Sequence, residues 1–197
     1  MPPPVRASIA APYQDLLLQL DRWFADAAAR HPGVIPCRSG CTACCHGPFD
    51  ISAADAALLR AGLATLDPAT RAEVRGRAEF LLLRMKAMAP SWGPPYDLEE
   101  LGETRFDEIV EALADEPCPL LGEEGACTLY SFRPAICRMM GLGMHTTLGN
   151  LANACPIQDQ FPEYRKLKPE RFDLATYERR EEQLIAGAGG GETTIAA

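Results

Sequence analysis

The sequence predicts a mainly α protein, a compact helical domain with one small β-hairpin, and three observations lead there. Apolar residues recur at helical spacing in several stretches bounded by capping residues or Pro/Gly breaks, whereas only one segment reads as paired strands. The third observation is eight cysteines, of which Cys37, Cys41, Cys44 and Cys45 crowd one short stretch while Cys118, Cys127, Cys137 and Cys155 lie far downstream.

The elements follow in order. Residues 13–30 carry Leu16, Leu20, Phe24 and Ala27 on one helical face, which Leu17 and Trp23 broaden, and His31-Pro32-Gly33 stops the helix. Ser52-Ala53-Ala54-Asp55 opens a second helix with Leu58, Leu59 and Leu63 buried, weakened but not ended by Gly62. Asp67-Pro68 opens a third, with Asp67 as N-cap and Pro68 at the first helical position, where its missing N–H costs nothing. Val74, Ala78, Leu81, Met85 and Met88 continue it to about residue 88, opposite Arg75, Arg77, Glu79 and Lys86.

The segment 90–95 is a Pro-rich loop, and a short acidic helix then turns Phe106, Ile109, Val110 and Leu113 inward. Leu120-Leu121 and residues 126–130, joined by Gly122-Glu123-Glu124-Gly125, predict the β-hairpin that carries Cys127. Arg133-Pro134 starts a helical turn bearing Cys137 and Arg138, Gly141-Leu142-Gly143 loosens the chain, and a last helix spans 169–185 with Phe172, Leu174 and Tyr177 apolar. The expected organisation is a flexible N-terminus at 1–12, one domain at 13–185 and a flexible Gly-rich tail at 186–197.

Composition narrows the function classes. A chain of 197 residues with 47% hydrophobic content can bury a real core. The formal net charge of −8, without a Lys/Arg stripe, disfavours nucleic acid and anionic membrane surfaces, and leaves a protein partner as the expected kind of macromolecular contact. The N-terminus lacks an apolar signal core and no later run could span a bilayer, so the expected compartment is the cytoplasm. There thiols stay reduced, which turns the cysteines from disulfide partners into metal ligands.

Cys37, Cys41 and Cys44 share a tight loop in which Gly40 can take a left-handed backbone angle and turn the sulfurs inward. Tetrahedral zinc and cubane iron–sulfur clusters each take four ligands, so Cys45, His46 or a distant cysteine must supply the fourth. Adjacent residues project in different directions, which points Cys45 towards a second site shared with the later cysteines. Eight thiols suit two four-ligand sites, and one site with the remaining cysteines in the core is the competing reading. The predicted metal ligands are therefore Cys37, Cys41, Cys44, Cys45, Cys118, Cys127, Cys137 and Cys155, with the helical domain stapled by metal–thiolate bonds.

Thiolates suit iron–sulfur clusters, including [4Fe-4S], and zinc alike. The Cys118-Pro119 and Cys155-Pro156 steps lean towards iron–sulfur, because a Cys-Pro step ends a bacterial ferredoxin motif. Arg38 and Arg138, each beside a cysteine, are candidates to offset thiolate charge. His46 and His145 lie near the cysteines in sequence, with ordinary loop roles as the alternative to ligation. The first three cysteines also match the spacing of radical S-adenosylmethionine enzymes, but here the loop follows a helix and no βα repeat comes after it. No catalytic residue stands out.

Cys37-x3-Cys41-x2-Cys44-Cys45, Cys118-Pro119, Cys127-Thr128-Leu129-Tyr130, Arg133-Pro134-x2-Cys137-Arg138 and Cys155 together resemble the YkgJ-like cysteine-cluster family of zinc- or iron-chelating proteins over residues 37–155. The resemblance implies metal binding through these cysteines and little beyond it, and the functional classes that remain are electron transfer or carriage of a metal or cluster, a structural zinc protein, and a metal-cluster-dependent methyltransferase acting with a partner. The cysteine pattern is also similar to that of flagellin lysine methylases, which implies a metal cluster attached to methyl transfer.

Overall fold

The computed structural model describes residues 10–38, 40–152, 155–188 and 191–197. Mainly α architecture is confirmed. Eight helices are present among the described residues: α1 (Ala10–Arg30), α2 (Ala53–Thr65), α3 (Pro68–Met88), α4 (Leu98–Leu101), α5 (Glu103–Ala112), α6 (Ala135–Met139), α7 (Pro162–Arg165) and α8 (Leu174–Ala188). Five short strands accompany them: β1 (Asp50–Ser52), β2 (Met144–Thr146), β3 (Gly149–Leu151), β4 (Glu170–Arg171) and β5 (Glu192–Thr194).

The caps place the helix starts where the sequence puts them. Ser52 accepts from the Asp55 N–H at 3.1 Å, and Asp67 Oδ1 accepts from Ala69 and Thr70 at 3.0 and 3.1 Å with Pro68 inside the first turn. Gly62 in α2 has a packing reason: a Cβ there would lie 2.6 Å from Phe132 Cγ, so the ring of Phe132 occupies the space a side chain would need.

Three apolar clusters divide the interior. The first joins Leu16, Leu17 and Leu20 of α1 to Leu58 of α2, Ala135 of α6 and Tyr177 of α8. The second joins Ile51, Leu59 and Val74 to Cys118, Leu120 and Leu129, with Cys45 and Cys127 packed against it. The third joins α3 to α4 and α5 through Leu81, Met85, Leu98 and Ile109. The segments bearing Cys45, Cys118 and Cys127 thus run beside the second cluster.

The strands depart from expectation. The expected hairpin of Leu120-Leu121 and residues 126–130 is reduced to one antiparallel bridge, Leu121 to Cys127, closed by Gly122 N–H to Ala126 O at 2.8 Å and Thr128 N–H to Leu120 O at 2.8 Å. It cannot lengthen, because Pro119 has no N–H to give and residues 130–132 coil into a 3-10 turn. The true hairpin is β2–β3, extended by β4 in parallel to β2.

The last helix also starts later than expected. Residues 170 and 171 form β4 because α1 holds them: Arg30 and His31 bind the Glu170 carboxylate at 2.6 and 2.9 Å, and Trp23 Nε1 donates to the Arg171 carbonyl at 3.1 Å. The chain end is a correction as well. In place of a flexible tail, β5 pairs antiparallel with β1, and Thr194, Ile195 and Ala196 are buried. Residues 1–9 of the expected flexible N-terminus lie outside the described residues.

A buried polar junction links α1, α2, α6 and α8. The Tyr13 hydroxyl lies 2.8 Å from both Asp55 Oδ1 and Glu181 Oε1, and Asp55 Oδ1 also accepts from the Ala135 N–H at 3.0 Å. One hydroxyl carries one proton, so Tyr13 can donate to only one carboxylate and the other must hold a proton of its own. Burial raises the Asp55 carboxyl, against hydrogen bonds from Tyr13, the Ala135 N–H and Ser52. Burial likewise raises the Glu181 carboxyl above its ordinary range, with the neighbouring Asp55 charge adding to it against the Tyr13 and Ser52 hydrogen bonds.

A group whose folded pKa is raised contributes stability that is complete below its ordinary pKa and lost as pH rises through the folded value. Glu181→Gln keeps the donor without the titration. It is expected to flatten the decline in stability above pH 5 and to gain about 0.5 kcal/mol at pH 8, a small figure because water screens this partly exposed group. Urea melts of both proteins across pH 4–9 check this, and identical slopes would refute it.

Candidate metal centre

The cysteine loop follows the end of α1 and returns the chain to β1. Gly40 takes φ +84°, as the spacing requires, and the loop is held by few backbone bonds: Cys41 N–H to Arg38 O at 3.0 Å and Cys45 N–H to Thr42 O at 2.9 Å. Two more fasten it to the second half of the chain, Gly47 N–H to Glu116 O at 2.6 Å and Cys118 N–H to Cys45 O at 2.9 Å. This pairing brings Cys45 and Cys118 onto neighbouring backbone although they are far apart in sequence.

The thiols fall into two neighbourhoods. Cys37 is pushed up to about 11 by burial and by the Cys155 and Cys41 sulfurs, with a smaller push from Cys44, while a hydrogen bond with Tyr164 holds it down. Cys118 is pushed up to about 11 by burial, with Cys127 and Cys44 adding to it against the Leu120 and Leu121 N–H groups. Burial also raises Cys137, whose neighbours are Cys118, Cys127 and Cys44, and Cys127, which the Leu129 N–H and the Arg133 cation oppose.

Cys44 stands between the two neighbourhoods. It is exposed, and its hydrogen bond to Cys45 raises its thiol while lowering that of Cys45. Cys45 in turn has Cys118, Cys137 and Cys127 as its charged neighbours. Among the described residues, no three His, Cys, Asp or Glu side chains converge closely enough to clasp a metal ion.

The donor set nevertheless fits a thiophilic centre. Sulfur from several cysteines is the chemistry that zinc and iron–sulfur clusters take. The surroundings supply compensating donors: the Tyr164 hydroxyl bonds to Cys37, and Arg133 lies near Cys127 with its Nε buried and without a hydrogen-bond partner. Arg133 and Arg138 both pair with Asp21, Arg133 Nη2 at 2.9 Å from Asp21 Oδ1. The Arg138 guanidinium is occupied by Asp21 and by the carbonyls of Arg133 and Ser131, at 3.0 and 3.1 Å for the two carbonyls, so it clamps α6 to α1. Arg38 is exposed.

The histidines sit apart from this chemistry. His46 is exposed and pairs through its backbone with Pro117, while His145 Nδ1 lies 2.7 Å from Asn150 Oδ1. Two surface hollows of about 320 and 360 Å³, one beside Trp92 and Arg105 and one beside Phe80 and Pro117, have no cysteine in their lining. Tyr164 and Gly141 are the residues near the thiols whose roles are invisible in the sequence. Each meets Cys37 across the fold, and neither belongs to a spacing motif.

No helix among the described residues is long and apolar enough to cross a membrane. No curated protein and no solved structure matches the chain. Residues 36–156, more than half of the chain and all eight cysteines, match the family described as "CxxCxxCC: Putative zinc- or iron-chelating domain", and the chain belongs to that family of metal-chelating domains.

Proposed function

We propose that the chain holds metal at two all-thiolate sites, Cys37, Cys41, Cys44 and Cys155 at one and Cys45, Cys118, Cys127 and Cys137 at the other. The observation that carries this reading is the pattern of sulfur neighbours. Cys37 has Cys155, Cys41 and Cys44 beside it, whereas Cys45 has Cys118, Cys137 and Cys127. Cys44 borders both sets, and ligand arithmetic assigns it to the first, because Cys45 completes the second. The hydrogen-bonded pair Cys44 and Cys45 thereby becomes the seam between two centres.

When bound, an iron–sulfur cluster supplies one-electron chemistry, and zinc supplies a cross-link between distant parts of the chain. Cys44 is exposed, so the seam between the two sites reaches solvent. That supports electron transfer or metal carriage, which both need a short path to a partner. The net charge of −8 suits a protein partner better than nucleic acid or a membrane.

The test is metal and acid-labile sulfide analysis of anaerobically purified full-length protein and two variants. Cys155→Ser is expected to lose about half of the bound metal and Cys118→Ser the other half, each leaving the remaining centre spectroscopically intact. Sulfide with a visible absorption band identifies iron–sulfur clusters, and a colourless zinc protein identifies the structural role. Loss of all metal in either variant, or of none, overturns the two-site partition.

A further inference from the structure

We propose that Tyr164 is a positioning residue for Cys37, holding its sulfur in place and donating a hydrogen bond to it when the thiolate carries metal. The proposal rests on the two-site reading above and extends it to a residue outside the cysteine pattern. Tyr164 is fully buried, on the short helix α7, which Pro162 starts and which Arg165 N–H to Phe161 O at 2.9 Å and Leu167 N–H to Tyr164 O at 3.1 Å hold in shape.

Two partners of the hydroxyl bear on Cys37. The hydroxyl donates to the Gly141 carbonyl, and it is hydrogen-bonded with the Cys37 sulfur. Gly141 is the wall against which both rest: at φ +105°, a Cβ added there would lie 2.8 Å from Cys37 Sγ and 3.3 Å from the Tyr164 oxygen. Sulfur and hydroxyl therefore share one face of a backbone that only glycine leaves open.

A phenol has one proton, so the Gly141 carbonyl and the Cys37 sulfur compete for it. With Cys37 as a thiol, the S–H can donate to the Tyr164 oxygen while the phenol serves the carbonyl. A metal-bound thiolate has no proton to give and is a charged acceptor, and charge-assisted hydrogen bonds are roughly twice as strong as neutral ones. The phenol proton then turns to sulfur. Such outer donors orient metal ligands, and losing one typically weakens metal affinity 10- to 100-fold.

The experiment uses Co(II) as the probe, titrated anaerobically into the full-length protein, with the thiolate-to-cobalt charge-transfer band read during competition with a chelator. Tyr164→Phe keeps the ring and removes only the hydroxyl. The expected result is two bound Co(II) equivalents, as in wild type, one of them released about tenfold more readily and with its band shifted to lower energy, because an unbonded thiolate gives up charge more easily.

The second site is the internal reference, since a residue that merely supported the fold would weaken both sites alike. Equal weakening of the two, or an unchanged affinity and band at both, overturns the role of Tyr164 while leaving the sites standing. Wild-type protein that takes up no Co(II) overturns the two-site reading itself and this proposal with it.

Discussion

Stripping the metal from the loaded protein with a chelator is expected to lower its melting temperature by roughly 15–30 °C. At ligand activities about 1,000 times the dissociation constant, each site contributes about 4 kcal/mol through mass action. In a chain of this size each kcal/mol corresponds to about 2–4 °C, and two sites act together. The structure shows where the loss falls. Among the described residues the cysteine loop contains no helix, and the backbone hydrogen bonds that join it to the Cys118 segment are Gly47 N–H to Glu116 O and Cys118 N–H to Cys45 O.

The helical clusters are self-sufficient by comparison. Leu16, Leu17 and Leu20 of α1 pack on Leu58 and Tyr177, and Leu81 and Met85 of α3 pack on Leu98 and Ile109, without any cysteine among them. Hydrogen exchange on the stripped protein is therefore expected to lose protection at residues 40–49 and 117–130 and to keep it in α1 and α3. Calorimetry with and without chelator provides the magnitude. A melting temperature that does not move would show that the thiols do not hold a stabilising metal.

The second large effect is expected from Gly141→Ala. A Cβ at this position would sit 2.8 Å from the Cys37 sulfur, and the backbone stands at φ +105°, where an L side chain is strained. Overpacking of this kind typically costs about 1–3 kcal/mol, and a side chain forced into positive φ adds more than the 0.4–1 kcal/mol usually gained by removing a glycine. The sulfur must move or the backbone must. The variant is expected to lose the metal of the Cys37 site, about half of the total, and to be destabilised by roughly 2–4 kcal/mol.

Gly76→Ala is the matched control, because its Cβ would meet nothing within 4 Å and it lies inside α3. It should retain all metal and gain about 0.5–1 kcal/mol from helix propensity. Metal analysis with denaturant melts separates the two variants. Full metal content in Gly141→Ala would mean that the sulfur does not need the space the glycine provides.

The starts of α2 and α3 were legible from their caps. Ser52 and Asp67 are capping residues whose side-chain oxygens do in the structure what their chemistry favours anywhere, a local interaction of residues two or three apart. Strands were not legible in the same way. β2 and β3 are three residues each, too short for an alternating pattern, and β1 finds its partner β5 across most of the chain. Leu120-Leu121 carried the stronger local strand signal, yet Pro119 and the 3-10 turn at residues 130–132 confine it to one bridge.

The late start of α8 has the same origin. Arg30, His31 and Trp23 of the α1 region capture Glu170 and Arg171, and no periodicity near residue 170 could reveal partners so far away. Distance along the chain also hid the partner of Arg133 and Arg138, since only the fold shows both guanidinium groups turned to Asp21 of α1.

What the sequence by itself determined is the helical framework and the donor chemistry: eight thiols in the pattern of a zinc- or iron-chelating family, on an acidic chain. Residue type sets donor chemistry, and short-range caps and periodicity set helices, so both can be read locally. Only the tertiary structure decided which thiols are neighbours, that Cys155 approaches Cys37 while Cys118 approaches Cys45, and that Tyr164 and Gly141 bracket one sulfur. Those relations join residues through loops of many lengths, and closing a loop costs so little more as it lengthens that spacing along the chain leaves the choice of partner to packing.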